Sequence, residues 1–150
     1  VDPASPSKLH NRALACPALP FCGLAITEAE RVLPEVLGHL DAVLAKHGLS
    51  DRAPVFRMTG CANGCARPYS AELALAGQTP GRYALYAGGS EEGDRLAFEV
   101  TQKVALADLP EVFDRLVSAW REAGDAAFGS FAARVGAEAL RATLDQEVAR

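Results

Sequence analysis

Residues 56–77 read FRMTGCANGCARPYSAELALAG. A short apolar run ends on Gly60, Cys61 and Cys65 follow with three residues between them, and large and small apolar residues then alternate from Glu72 onward. The pattern predicts a buried strand, a tight loop carrying both cysteines, and a second strand. Working outward, alternation in RYALYAGG (82–89) and RLAFEV (95–100) adds two more strands, with turns at Gly77, at Pro80-Gly81 and through GGSEEGD (88–94). These strands are expected to pair largely antiparallel.

Upstream, ITEAERVLPEVLGHLDAVLAKHGLS (26–50) carries Val32, Leu33, Val36, Leu37, Leu40, Val43 and Leu44 at helical spacing. Thr27 and Glu30 have the spacing of a capping box, Pro34 either kinks this helix or starts a second one, and Gly48 ends it. A further helix is expected from Asp108, with Glu111 completing its capping box, Val112, Phe113, Leu116, Val117 and Trp120 on one face, and Gly124 as its stop. FGSFAARVG (128–136) reads as irregular or short. The fold class is therefore α+β, a mostly antiparallel mixed sheet packed with helices. Its expected divisions are a linker or mobile segment over 1–14, a main domain over 15–136 and a C-terminal helix over 137–150.

With 150 residues, about half of them hydrophobic, the chain can bury a core without disulfides. Its net charge of -4 and pI near 5.4 disfavour nucleic acid as a partner. No apolar run approaches a bilayer span and the N-terminal residues lack the apolar centre of a signal peptide, so a cytoplasmic location without membrane contact is expected. The first residue is Val rather than Met, in a stretch rich in Pro, Ser and Ala, which suggests a piece of something longer.

The four cysteines form a C-x5-C pair, Cys16 and Cys22, and a C-x3-C pair, Cys61 and Cys65, with 38 residues between the pairs. Two loops so spaced converge on one centre if the intervening helix and strand return the chain to its starting point. Structural zinc, an iron–sulfur cluster, disulfides and four unrelated buried thiols are the competing readings. Zinc knuckles use shorter spacers without two prolines, a cytosolic chain disfavours disulfides, and both pairs sit among Pro, Gly and Asn rather than on apolar faces. A [4Fe–4S] cluster needs four thiolates and, being larger than one ion, suits wider spacing. Gly60, Asn63 and Gly64 all tolerate positive φ, which would let backbone N–H groups turn toward a bound anion. Pro17, Leu19, Pro20 and Phe21 would wrap it in apolar atoms.

CPALPFCGLAITEAERVLP, HGL, RMTGCANGCARPYSAELALAG, PGRYALYAGG and the late FGSF resemble the C-terminal part of the sirohaem-dependent assimilatory sulfite reductases, over about Ala15 to Val135. The resemblance implies that Cys16, Cys22, Cys61 and Cys65 ligate a [4Fe–4S] cluster and that Cys65 also bridges to the iron of sirohaem. It implies that Asn63 and Gly64 line the junction of the two cofactors; Arg67, close after Cys65, either meets a sirohaem carboxylate or a neighbouring acid or simply balances charge. The reaction so implied is the six-electron reduction of sulfite to sulfide. Gly64 stands where the related nitrite reductases carry Ser. Ala62, Phe21 and Ala87 depart from the family's frequent Pro, Thr and Leu.

The family's Arg and Lys clamp for sulfite lies in the preceding part of longer chains, so no catalytic residue is assigned here and the chain alone is expected to be inactive. Its implied partners are the N-terminal remainder of the reductase, a ferredoxin or flavoprotein electron donor, and sulfite. The rival from another class is a non-catalytic module that holds an iron–sulfur cluster for electron transfer or zinc for structure. His10, His39 and His47 have no ligand spacing to one another, and Trp120 reads as core.

Overall fold

The computed structural model describes residues 5–146. In chain order these form a helical turn α1 (Lys8–Asn11), β1 (Ala13–Ala15), α2 (Leu33–Lys46), β2 (Phe56–Thr59), β3 (Leu73–Thr79), β4 (Arg82–Ala87), β5 (Phe98–Ala105), α3 (Leu109–Ala123) and α4 (Phe128–Asp145). The strands make one sheet in sequence order, with β1–β2 and β2–β3 parallel, and β3–β4 and β4–β5 antiparallel. The α+β class and the mixed sheet agree with expectation, but the antiparallel share is smaller than expected because half of the pairings are parallel. Antiparallel neighbours need only a hairpin, whereas parallel ones need a crossover. Here α2 lies in the crossover from β1 to β2, and residues 60–72, with Cys61 and Cys65, form the one from β2 to β3.

The linker expected over 1–14 breaks down within the described residues. Leu9 is fully buried, Ser7 caps α1 by accepting from the His10 amide at 3.2 Å, and Ala13–Ala15 pair with β2. Three residues of Ala-Leu-Ala are too short for alternation to register as a strand. Residues 1–4 and 147–150 lie outside the described residues.

Neither expected capping box forms. Thr27 is buried and its hydroxyl donates to Gly60 O at 3.3 Å, so the helix begins only at Leu33, with Pro34 in its first turn. Asp108 makes no cap bond either, and Glu111 pairs with Arg115 at 2.6 Å. Gly48 (φ 70°) and Gly124 (φ 80°) end α2 and α3 in the left-handed conformation that glycine adopts at least cost. The stretch 128–136, expected irregular, is helical up to a break at Gly136 (φ 85°) and buries Phe128, Phe131 and Ala132.

Every residue of Ala71–Gly77 is buried, so β3 is covered on both faces: Leu73 and Leu75 point to one side, Ala74 and Ala76 to the other. Phe56 meets Phe113 edge-on at 6.3 Å, which seats α3 on the sheet, and α2 packs against α3. Trp120, Phe128 and Phe131 close the contact between α3 and α4, the Trp120 indole donating to Asp125 O at 2.8 Å. Each such aromatic contributes about 1.5–3 kcal/mol by burial. Among the described residues no helix is long and apolar enough to cross a membrane.

Candidate functional site

Parallel pairing of β1 with β2 decides where the cysteines go. Ala15 is in register with Met58, so the chain leaves both strands at the same sheet edge, once into Cys16 and once through Thr59 and Gly60 into Cys61. The Cys16 amide continues the ladder to Met58 O at 3.1 Å, and the Gly60 amide donates to Cys16 Sγ at 3.3 Å. A sulfur of the first loop thus faces the backbone of the second.

The first loop turns on Ala18, which is fully buried with φ 53° and accepts from the amides of Phe21 (2.9 Å) and Cys22 (2.8 Å). The Ala25 amide donates to Cys22 O at 3.2 Å, and the amides of Ile26 and Thr27 donate to Gly60 O at 2.8 and 3.1 Å. Gly60 has no room for a side chain: a Cβ there would lie 2.6 Å from Ala18 Cβ and 2.8 Å from Thr27 O. Below it, a Cβ on Gly77 would meet Gly60 O at 2.4 Å. Cys16, Cys22 and Cys61 are therefore all tied, within a few bonds, to one close contact. All three are half-buried free thiols, whereas Cys65 is free and exposed.

In the second loop Thr59 Oγ1 donates to Cys61 O at 3.0 Å, and the Arg67 amide donates to Gly64 O at 2.8 Å. Gly64 adopts φ 70°, but Gly60 and Asn63 do not take the positive φ expected of them; Ala18 (53°) and Arg67 (55°) do instead. Asn63 is exposed. The apolar wrapping expected of Pro17, Leu19, Pro20 and Phe21 also differs: only Leu19 is half-buried, and Phe21 is 73% exposed. The two prolines lack amide donors and sit where none is needed.

Arg67 lines a small polar cleft with Arg57, Ser70, Ser90, Glu91 and Glu92. Arg57, the one charged residue of β2, donates from Nη1 to Arg12 O (2.8 Å) and Phe56 O (3.0 Å). Burial, and then the Arg67 charge, lower its pKa. Arg12 in turn bridges to Glu91. Sequence reasoning missed Arg57, although a lone charge within a buried strand was the available signal. The histidines are spread apart, His10 beside Asp41 at 3.2 Å, His39 beside Glu35 at 3.6 Å and His47 beside Asp114 at 2.8 Å.

No family model matches the chain. It is 46% identical over 142 residues to the "Sulfite reductase [NADPH] hemoprotein beta-component" of Shewanella sp. (strain W3-18-1), an alignment covering 93% of this chain and 25% of that protein. The protein of the same name from Shewanella denitrificans is 49% identical over 131 residues, covering 85% of this chain and 23% of its own length. Among solved structures, the Mycobacterium tuberculosis NirA protein superposes with a TM-score of 0.76 at 22% identity, over 91% of this chain and 28% of that one, a likeness of fold. The chain spans about a quarter of the length of the curated relatives it matches. Over that quarter its sequence is similar to that of the sulfite reductase hemoprotein beta-components.

Proposed function

We propose that this chain is the cofactor-bearing segment of a sulfite reductase hemoprotein, in which Cys16, Cys22, Cys61 and Cys65 hold a [4Fe–4S] cluster and Cys65 also serves as the thiolate toward sirohaem. The observation that carries this reading is the parallel pairing of β1 and β2, with the Gly60 amide on Cys16 Sγ at 3.3 Å, which gathers both cysteine loops at one edge. The donor set fits the group: four free thiols, three half-buried and one open to an outside neighbour. Among the described residues no three His, Cys, Asp or Glu side chains close on a point that one ion would occupy. The five-residue spacer with two prolines between Cys16 and Cys22 suits a larger inorganic core better than a zinc knuckle.

When bound, the pair of cofactors would supply electron storage and transfer to sulfite. The chain's own contribution is positional. The Gly60 N–H on Cys16 Sγ stabilises negative charge on that sulfur, and such bonds tune a cluster's potential. Exposed Cys65, with Asn63 and Gly64 beside it, presents its sulfur outward, while the guanidinium of Arg67 offers a partner to a cofactor carboxylate. A substrate clamp of Arg and Lys would come from a part of the enzyme without a counterpart in this sequence, so the chain alone turns over no sulfite. The reductase also requires a ferredoxin or flavoprotein donor.

Anaerobic reconstitution with iron and sulfide tests the reading. About four iron and four labile sulfide per chain, with a broad visible absorption lost in Cys22→Ser and Cys61→Ser, is the expected result. One zinc per chain and no iron uptake would overturn it.

A further inference from the structure

The side chain of Tyr69 reaches back over the second cysteine loop. Its hydroxyl donates to Ala62 O at 2.6 Å, seven residues upstream, and its ring covers Gly64. A Cβ on Gly64 would lie 2.7 Å from Tyr69 Cε2 and 3.2 Å from Cδ2, so this glycine is required by the ring as well as by its φ of 70°. Tyr69 is itself immobilised. It sits in the 3-10 turn Pro68–Ser70, its carbonyl accepts from the Ala97 amide at 2.8 Å, and its ring stacks edge-on against Tyr86 at 5.1 Å and 76°. Nothing in the sequence reading singled it out.

We infer that Tyr69 is a positioning residue that locks the Cys61–Cys65 loop into its ligand-presenting shape before any cofactor arrives. The inference rests on the reading above for what the loop presents, but the lock is a property of the metal-free chain. Two contacts two residues apart, a hydrogen bond at Ala62 and a ring at Gly64, fix the middle of a loop whose ends are pinned by Thr59 and Arg67. Burial, and next the neighbouring Cys61, raise the phenol's pKa.

Hydrogen exchange and residue-resolved alkylation by iodoacetamide on the metal-free, reduced chain test the proposal. Tyr69→Phe keeps the ring and its stack on Tyr86 and removes only the donor. It is expected to speed exchange of the 62–64 amides and alkylation of Cys61 by about fivefold, the ratio that one lost hydrogen bond allows. Tyr69→Ala is expected to do more, while Cys16 and Cys22 react at the wild-type rate in both variants. Unchanged Cys61 and loop rates in Tyr69→Phe, or an equal rise at all four cysteines, would overturn the proposal. Iron uptake is read separately: wild-type chain that binds no iron defeats the cofactor reading, while the alkylation difference still decides the role of Tyr69.

Discussion

The loop from Cys16 to Thr27 and the loop from Gly60 to Ser70 each carry two thiols and are held by different means. In the first, backbone amides do the holding: those of Phe21 and Cys22 converge on Ala18 O, and those of Ile26 and Thr27 on Gly60 O. Two of its larger side chains face outward, Phe21 and Leu24 each being more than 70% exposed. In the second loop side chains hold the backbone, through the Thr59 hydroxyl on Cys61 O and the Tyr69 phenol and ring on Ala62 and Gly64. The two systems meet at Gly60, whose amide binds a sulfur of the first loop and whose carbonyl accepts that loop's returning strand of donors. A change at Gly60 should disturb both loops, and a change at either tip only one.

The largest expected effect breaks that junction. Gly60→Ala puts a methyl group 2.6 Å from Ala18 Cβ and 2.8 Å from Thr27 O, neither of which is the end of a flexible side chain. Overpacking of this kind costs about 1–3 kcal/mol. Gly23→Ala, at the first loop's exposed tip with nothing within 4 Å, should stay within about 0.5 kcal/mol of wild type. Urea unfolding of both variants, with thiol accessibility as a second readout, checks the contrast; equal stabilities would remove the special place given to Gly60.

The smallest effect calibrates the comparison from a remote site. Asp114 on α3 accepts from Lys46 at 2.9 Å and His47 at 2.8 Å, and hydrogen bonds from His47 and then Lys46 hold its carboxyl below the usual carboxylate range. A folded-state pKa below the unfolded one gives stability that is present above the unfolded pKa and lost as the pH falls through the folded one. Because Asp114 is more than a third exposed, Asp114→Asn should cost less than about 1 kcal/mol at neutral pH. The difference should close as the pH drops below about 4, while the reactivity of all four cysteines stays at the wild-type value. Chemical denaturation across pH, paired with thiol titration, measures both.

Much of this architecture was legible in the residues. The strands around Phe56, Leu75 and Leu85 announced themselves by apolar runs, and Gly48 and Gly124 marked helix ends because only glycine takes that turn at little cost. The element that unites the site was not legible. β1 is three residues of Ala-Leu-Ala, too short for a period to emerge, and its identity comes from pairing with β2 rather than from its own pattern. Thr27 misled for a related reason. Its spacing to Glu30 fits a local cap, and the tertiary partner Gly60 O, 33 residues away, took the hydroxyl instead. At the site, residue types pointed to the four thiols, whereas Arg57 and Tyr69 act through neighbours that only the fold supplies.

The central claim is that β1 and β2 run side by side and so bring both cysteine loops to one edge. In the reduced, metal-free chain, nuclear Overhauser cross-peaks between the Gly60 amide proton and the Cys16 β-protons, and between the Ile26 amide proton and the Gly60 α-protons, test it most directly. Both sets should appear alongside the ordinary cross-strand peaks between Leu75 and Leu85, which pair in β3 and β4. Strong peaks between Leu75 and Leu85 with none between Gly60 and Cys16 would mean that the sheet forms while the loops stay apart, and would contradict the account.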